Sequence, residues 1–351
     1  MEPMSSPFNK SGMKHPAIIF ALILFAAMML FFSCSKEDDH NGANYSPTPY
    51  SIQIPPHFPI PEIPENNKTT VEGVRLGRML YYDNLLHPSG SMACATCHLQ
   101  SFGFCTPTNN VMPHTNLIYS SNFLWNGKVS GTLEDIMKFE VEEFFQADMN
   151  KFKDHSQYPR LFYEAFGNIT PTSENAAKAL AQFFRVMISG DSRFDKIIRH
   201  QIVPTLEEAT GMNLFFTEKG DCFHCHSMPL TSDYQMHNIG LDSVFVGVNA
   251  GHFNISGNAA DKGKFRTPTL RNVALQSSYM HDGRFTTLEE VIQFYNSGVK
   301  PSPSLDPIMT KPGKENGLGL TAYQVQCLVA FLNTMTDTVF TNNPQLSSPF
   351  Q

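Results

Sequence analysis

The sequence contains little of what several large classes of protein require. It has no long run of lysine or arginine, and its 25 Lys and Arg against 32 Asp and Glu give a formal net charge of −7. Nucleic-acid binding needs a concentrated positive surface, so we exclude that function. With 41% hydrophobic and 16% charged residues, the chain is neither largely disordered nor a protein of many membrane spans. Its 351 residues allow two or three domains at about 100–200 residues each.

Strand-type alternation of apolar and polar residues is also scarce, whereas helical spacing recurs. Apolar side chains follow a helical interval over residues 70–82, and a second helix is predicted over 174–188. Three further helices are predicted from capping-box pairs. These pairs are Thr205 with Glu208, opening a helix through Phe216, Thr287 with Glu290, and Thr321 with Gln324, opening a helix to about Met335. The sequence therefore predicts a mainly α-helical fold.

The N-terminus has the parts of a secretory signal peptide. Two lysines precede an uncharged apolar stretch over 16–32, which ends in Ser33-Cys34. A cysteine directly after the small residue resembles a bacterial lipoprotein cleavage site, so we predict a signal peptide over 1–33 and lipidation of Cys34. An uncleaved anchor is the alternative, although the stretch barely reaches the roughly 20 residues that cross a bilayer. The protein is therefore predicted to be exported, to the periplasm or the cell surface, and held at the membrane by its lipid.

Two short motifs carry the chemistry of this sequence. Cys94-Ala95-Thr96-Cys97-His98 and Cys222-Phe223-His224-Cys225-His226 both have the C-x-x-C-H pattern of c-type haem attachment. Cysteines three residues apart can form thioethers to the two vinyl groups of one porphyrin, and the adjacent histidine then reaches the iron. A four-cysteine zinc site is disfavoured because the pairs lie far apart and each carries a histidine. We therefore predict two covalently bound c-type haems, with His98 and His226 as proximal ligands.

The positions of these motifs divide the chain. Residues 34–66, in which seven prolines fall between 40 and 66, are predicted to be a flexible tether. A haem-bearing cytochrome c domain is predicted over 67–195, a second over 196–340, and a tail over 341–351. Of the seven cysteines, Cys105 and Cys327 are left over. They are either buried thiols or a disulfide.

Several segments resemble the bacterial di-haem cytochrome c peroxidases, including the MauG-like branch of that family. The segments are Leu76-Gly77-Arg78, Leu124-Trp125-Asn126-Gly127-Lys128, the run over 265–274, and Tyr279-Met280-His281-Asp282-Gly283 with the helix that follows it. The resemblance extends over about residues 70–338.

The resemblance implies a division of labour between two haems. The N-terminal haem meets hydrogen peroxide, and the C-terminal haem accepts electrons from a small donor protein, a cytochrome c or a cupredoxin. A tryptophan between the haems carries the electron in this family. The single tryptophan of the chain, Trp125, stands at the matching position. An ordinary core aromatic would look the same in the sequence.

The sixth ligand of the second haem is read by counting along the family segment. In the family it lies fourteen residues after the histidine of the Tyr-x-His-Asp-Gly segment, which here leads from His281 to Tyr295. Peroxidases of this family usually have methionine there, whereas MauG-like proteins have tyrosine. Tyr295 also fits an apolar helical stripe, so an ordinary core role is an alternative, as are Met280 and no ligand. A phenolate ligand lowers the iron potential and a thioether raises it.

The first haem site departs from the family pattern. Family members carry Gln, Pro and Glu after the tryptophan, and the carboxylate moves a proton between the two peroxide oxygens. The corresponding positions here are Ile136, Glu140 and Gln146, and a glutamine cannot take up a proton. Glu142 and Glu143 are candidate substitutes. Their alternative is a solvated helix face.

His114 lies sixteen residues after His98, the distance at which some family members place a reversible distal histidine. It is therefore a candidate sixth ligand of the first haem, with an exposed loop residue as the alternative. If His114 stays bound, the first haem is closed to peroxide.

Calcium and oligomeric state are left open by the sequence. The family binds calcium between its haems through an Asn and two carbonyls of a Thr-x-Pro element. That element reads Gln276-Ser277-Ser278 here, and the Asn has no clear counterpart. Members of the family often form dimers, so a homodimer is a further expectation from the resemblance.

Three functions follow from these observations. The first is an exported peroxidase that reduces hydrogen peroxide to water with electrons passed from the C-terminal to the N-terminal haem. The second is a MauG-like oxidase that acts on a protein or an organic substrate through high-valent haems. The third is a non-catalytic electron carrier.

Overall fold

The structure is a computed structural model that describes residues 45–106, 111–315 and 317–350. The predicted signal peptide and Cys34 lie outside the described residues. Within them the fold is helix-rich, and its named strands form two short antiparallel pairs. The prediction of a mainly α-helical protein is confirmed. No helix in the described part of the chain is both long and apolar enough to cross a membrane.

The elements follow one another along the chain as short helices joined by long turns. The α-helices are α1 (Val71–Tyr82), α2 (Cys94–Cys97), α3 (Leu133–Phe139), α4 (Met149–Lys153), α5 (Tyr158–Phe166), α6 (Ser173–Arg185), α7 (Arg193–Ile198), α8 (Leu206–Phe215), α9 (Phe253–Ser256), α10 (Leu288–Ser297), α11 (Ala322–Asn333) and α12 (Thr338–Thr341). A π-helical turn, Glu140–Phe144, continues α3. The strands are β1 (Asn122–Phe123), paired with β2 (Val129–Ser130), and β3 (Met236–His237), paired with β4 (Phe265–Arg266). Single turns of 3-10 helix are Glu65–Asn67, Asn84–Leu86, Gln100–Phe102, Leu117–Tyr119, Cys222–His224, Gly247–Ala250, Ala259–Asp261, Val273–Leu275 and Pro307–Thr310.

The helix starts predicted from capping signals are confirmed. Capping boxes open α8, α10 and α11 at Thr205, Thr287 and Thr321. The helix predicted over 174–188 is α6, which ends three residues earlier, at Arg185. Starts are predicted well because the capping side chain bonds a backbone N–H only three residues away.

The apolar core forms two clusters, each built around one packed pair of helices. In the first cluster α1 packs on α6, and in the second α8 packs on α11. Each pair touches at a glycine. A Cβ on Gly77 would overlap the carbonyl oxygen of Ala179, and one on Gly211 would overlap that of Cys327. Each half therefore repeats one unit, in which a helix precedes the Cys-x-x-Cys-His motif and a later helix packs against it.

The tether predicted over 34–66 is wrong for residues 45–66, because this segment packs on the helical body. The Phe58 side chain is 7% exposed, and the backbone N–H of Tyr50 donates to the carbonyl of Thr69 at 2.9 Å. Nε2 of His57 lies 2.8 Å from Oδ1 of Asp195. Proline holds a chain extended but does not prevent its apolar side chains from docking.

A buried ion pair links segments that are distant in sequence. Arg271 and Asp195 are both fully buried, and two hydrogen bonds of 2.8 and 2.9 Å join the guanidinium to the carboxylate. The buried carboxylate of Asp337 forms a second link of this kind. Its Oδ2 accepts a hydrogen bond from the Ser189 hydroxyl at 3.0 Å and two more from the backbone N–H groups of residues 190 and 191. Both links join residues on the two sides of the domain boundary that is predicted at residue 195. The boundary itself stays a prediction.

Candidate functional site

The first Cys-x-x-Cys-His motif places its histidine in a defined orientation. Cys94–Cys97 is a single turn of helix, α2, and His98 follows it. Nδ1 of His98 lies 3.1 Å from the carbonyl oxygen of Phe104. Because a carbonyl can only accept, Nδ1 carries the proton, and Nε2 is left as the nitrogen that can bind a metal. The carbonyl is aimed by Phe104 itself, whose φ is 58°.

The second motif repeats this arrangement with different residues. Nδ1 of His226 lies 3.0 Å from the carbonyl oxygen of Thr231, whose φ is 55°. Burial lowers the pKa of His98 to about 4 and also lowers the pKa of His226. Both imidazoles are therefore neutral at physiological pH, which is the protonation state that a metal ligand needs.

A cavity of about 220 Å³ adjoins the second motif. Cys222, Cys225 and His226 line it, together with a predominantly apolar wall that includes Leu288, Ile292 and Leu328. Tyr295 and Met280, the two candidate sixth ligands, line the same cavity. The side chains fit a porphyrin held by two thioethers, because they combine an apolar wall, a cysteine pair and an oriented imidazole. Burial raises the pKa of Tyr295, so its hydroxyl stays protonated unless a cation binds it.

Trp125 comes from the first half of the chain but lines this second cavity. It stands in the turn between β1 and β2, where Leu124 and Gly127 have φ values of 64° and 67°. Its carbonyl oxygen accepts the backbone N–H of Arg266 at 2.8 Å. The turn therefore reaches from the first half of the chain into the wall of the second site.

A histidine held between two carboxylates lies beside Cys225. Nε2 of His237 is 2.9 Å from Asp233, and Nδ1 is 2.6 Å from Asp306. Hydrogen bonds to these two carboxylates raise the pKa of His237 to about 12. The second site therefore has, at its edge, a histidine whose protonated form is favoured by two carboxylates, and no local sequence pattern indicates this arrangement.

His114 lies against His98 rather than opposite it. The two imidazole rings stack with 3.4 Å between centroids and 15° between planes, and Nδ1 of His114 is 3.2 Å from the Tyr81 hydroxyl. Stacked rings cannot bind one iron from opposite sides, so ligation by His114 requires that it move away from His98. The prediction of a reversible distal ligand therefore stays a prediction.

The candidate acid–base residues after α3 differ in their exposure. Glu142, Glu143 and Gln146 are exposed, which favours the solvated-face alternative for the two acids. Glu140, at the start of the π-helical turn, is half-buried, and burial raises the pKa of its carboxyl to about 7. Burial raises the pKa of the Cys94 thiol, and the nearby charge of Glu140 raises it further. The signal in the sequence is that Glu140 continues the buried stripe of Leu133, Ile136 and Met137 at helical spacing.

Two other open questions concern the remaining cysteines and calcium. Cys105 and Cys327 are 3% and 0% exposed, and neither forms a disulfide in the structure. Of the two alternatives, a disulfide and two buried thiols, the structure therefore contains the buried thiols. The carbonyl of Gln276 accepts the Tyr279 hydroxyl at 2.9 Å. A calcium ion at Gln276 would share that oxygen, and calcium binding stays a prediction.

The helix-rich fold and two sites where a cysteine pair adjoins an oriented histidine define a class of redox protein built around haem. The family profile described as di-haem cytochrome c peroxidase matches residues 71–202. The methylamine utilization protein MauG of Methylorubrum extorquens is 31% identical over 291 residues, which cover 78% of this chain and 80% of that protein. The chain therefore belongs to the di-haem cytochrome c peroxidase family and is an oxidoreductase of that type.

Two further relatives extend the similarity over most of the chain. The cytochrome-c peroxidase IdrP1 of Denitromonas iodatirespirans is 28% identical, over 85% of this chain and 92% of that protein. A crystal structure of a MauG-like protein associated with microbial copper homeostasis superposes with a TM-score of 0.77 at 28% identity. It covers 86% of this chain and 100% of that one.

Proposed function

We propose that the chain binds two haems covalently, through Cys94, Cys97 and His98 and through Cys222, Cys225 and His226, and reduces hydrogen peroxide to water. The observation that carries the proposal is the repeated orientation of the two histidines. Each has Nδ1 fixed on a backbone carbonyl, at 3.1 and 3.0 Å, which directs Nε2 to a metal beside a cysteine pair. Haem iron at these sites would supply the one-electron redox chemistry that peroxide reduction needs.

The chain supplies a path between the two sites. Trp125 belongs to the first half of the sequence and lines the second cavity, so it suits the relay role implied by the family. Electrons would enter at the second site from a small cytochrome c or cupredoxin and pass to the first. The hydrogen bond from the backbone N–H of Arg266 to the Trp125 carbonyl, at 2.8 Å, helps to hold the turn that carries the indole at the second cavity.

The chain also supplies a proton carrier at the first site. Reduction of one peroxide to two waters consumes two protons, and an efficient carrier has a pKa near the working pH. Glu140 is half-buried near Cys94 and its pKa is raised to about 7 by burial. It therefore suits this role better than Glu142, Glu143 or Gln146, whose side chains are exposed.

The test is peroxide-dependent oxidation of a reduced donor by the purified holoprotein. We expect turnover with a reduced cytochrome c or cupredoxin as the donor. The holoprotein is tested after oxidising and after reducing pre-treatment, and turnover is expected in at least one of the two. The matched control is Cys94→Ser/Cys97→Ser, which removes the first attachment site and leaves the second. A wild-type protein that carries both haems but shows no peroxide-dependent rate contradicts the proposal and favours an electron carrier.

A specific observation favours MauG-like oxidation as the second candidate. Tyr295, rather than methionine, stands at the family ligand position and lines the cavity with His226. A phenolate ligand lowers the potential of the iron and so favours the high oxidation states on which a MauG-like oxidation depends. Peroxide-dependent oxidation of a protein substrate, without a requirement for a reduced donor, would support this candidate over the first.

We also propose that the protein is exported and lipidated at Cys34, as its N-terminus predicts. The variant Cys34→Ser should then move the protein from the membrane fraction to the soluble fraction of the producing cell. If the wild type is already in the soluble fraction, the proposed lipid anchor at Cys34 is contradicted. The proposal of two covalent haems does not depend on this result.

A further inference from the structure

Arg266 is a buried guanidinium at the wall of the second cavity. The residue is 3% exposed, and its backbone N–H is bonded to Trp125. Its side chain donates to the Ser120 hydroxyl at 3.4 Å and to the sulfur of Met112 at 3.1 Å, and it lies 5.6 Å from the centre of the Tyr234 ring. Its Nε has no partner in the described part of the chain.

Arg266 has no acidic partner among the described residues, which separates it from the other buried arginine nearby. Arg271 is equally buried but forms two hydrogen bonds with Asp195, at 2.8 and 2.9 Å. Burial lowers the pKa of Arg266 to about 10, so its charge persists at neutral pH. A buried charge without a counter-ion is strongly unfavourable, so the native site is expected to contain an anion.

The position of Arg266 indicates where that anion comes from. Arg266 lines the same cavity as Cys222, Cys225 and His226. A haem attached there through its vinyl groups keeps two propionate carboxylates, which are the anionic groups of an otherwise apolar ring. Guanidinium pairs with carboxylate through two parallel hydrogen bonds, and the free Nε of Arg266 is one of the donors such a pair uses.

We propose that Arg266 binds a propionate carboxylate of the haem held by Cys222, Cys225 and His226, and that it fixes this haem against Trp125. The inference rests on the proposed function, since it needs a haem in this cavity. Arg266 acts as a positioning residue, and its charge also makes the ferric state of this haem less stable. The guanidinium therefore raises the reduction potential of the second haem.

The experiment measures haem content, the two reduction potentials and the resonance Raman propionate bending modes of the holoprotein. Arg266→Gln should retain covalent haem, lower the potential of the second haem and shift a propionate mode. A change confined to the potential of the first haem would contradict the assignment to the second. Arg266→Lys keeps the charge and should restore most of the potential, but it should still shift the mode because it cannot form a bidentate pair. Arg193→Gln is the matched control, because Arg193 pairs with Glu208 and does not line the cavity.

The outcomes separate this inference from the proposed function. A wild-type protein without covalent haem overturns both. A wild-type protein with two haems, and Arg266→Gln potentials and propionate modes equal to those of Arg193→Gln, overturns the inference alone. If Arg266→Gln loses the second haem, the comparison of Arg266→Lys with the wild type decides: an unchanged propionate mode contradicts propionate binding by Arg266.

Discussion

Glu140 is the residue whose titration should set the pH dependence of peroxide turnover. Burial raises its pKa to about 7, so the carboxylate that would accept the first peroxide proton in the proposed reaction forms as the pH rises through this value. We expect kcat/KM for peroxide to rise between about pH 6 and 8 in the wild type. Glu140→Gln should lose this rise and about 100-fold or more in rate, the usual contribution of a general base.

The same measurement distinguishes Glu140 from its neighbours. Glu207→Gln, an exposed substitution on α8, is the control and should leave the profile unchanged. If the pH-dependent limb persists in Glu140→Gln but disappears in Glu142→Gln or Glu143→Gln, the proton carrier is one of the exposed acids instead.

Tyr295 is predicted to determine the spectrum and potential of the second haem. Tyr295→Met should raise its reduction potential, since a thioether favours the ferrous state more than a phenolate does. The ferric absorption spectrum should change in Tyr295→Phe at unchanged haem content. Tyr279→Phe is a matched control in the same cavity, because the Tyr279 hydroxyl already donates to the carbonyls of Val273 and Gln276. A change in Met280→Leu but not in Tyr295→Phe would assign the ligand to Met280.

At the residue scale, the sequence is sufficient where the chemistry is local and insufficient where it depends on packing. The two Cys-x-x-Cys-His motifs are readable because thioether spacing is fixed within five residues. The carbonyl partners of His98 and His226 are not readable, since they depend on left-handed backbone at Phe104 and Thr231. Arg266 illustrates the same limit, because no local pattern tells whether a buried charge will have a partner.

At the element scale, the two packed helix pairs depend on glycine at their contact points. Gly211→Ala adds a methyl group where α8 meets the carbonyl of Cys327 on α11, and backbone at that contact cannot move away. We expect a loss of about 2 kcal/mol in the free energy of unfolding, measured by urea denaturation, since overpacking outweighs the better helix propensity of alanine.

The equivalent glycine contact in the first half of the chain and an exposed control residue provide two further variants for this test. Gly77→Ala should destabilise the α1–α6 pair similarly, because its methyl group would meet the carbonyl of Ala179. Asn213→Ala lies on the exposed side of α8 and should change stability by less than about 0.5 kcal/mol. A Gly211→Ala protein as stable as Asn213→Ala would mean that the two helices are further apart than the structure has them.

Helix starts were predictable and the π-helical turn was not, for a physical reason. Thr205 and Thr287 cap their helices through hydrogen bonds with the glutamate three residues later. The spacing of threonine and glutamate in the sequence therefore predicts where each helix begins. The turn Glu140–Phe144 depends on how α3 packs against α6, which no pattern within the segment encodes. The packing of residues 45–66 was missed likewise, because the Phe58 site is formed by distant parts of the chain.

At the scale of the whole molecule, Asp195 joins three segments that are far apart in sequence. It accepts hydrogen bonds from Arg271 at 2.8 and 2.9 Å and from Ser192 at 2.7 Å, and it contacts His57 of the N-terminal segment at 2.8 Å. Burial alone would raise the pKa of Asp195, but these hydrogen bonds and the charge of Arg271 hold it below its ordinary value. The carboxylate therefore stabilises the fold above about pH 4, and this contribution is lost as the pH falls further.

Asp195→Asn should consequently destabilise the whole described fold rather than one helix. It leaves the charge of Arg271 buried and unpaired, which costs about 3–5 kcal/mol. The matched control is Glu208→Gln, which breaks the ion pair with Arg193, whose side chain is 41% exposed, and should cost about 1 kcal/mol or less. Urea denaturation of both variants, followed by circular dichroism and haem absorption together, measures the difference. Because Asp195 links the N-terminal segment to α7 and to Arg271 of the second half, the two signals should shift together in Asp195→Asn. A loss equal to that of Glu208→Gln would show that the pair is solvated and does not connect the two halves of the molecule.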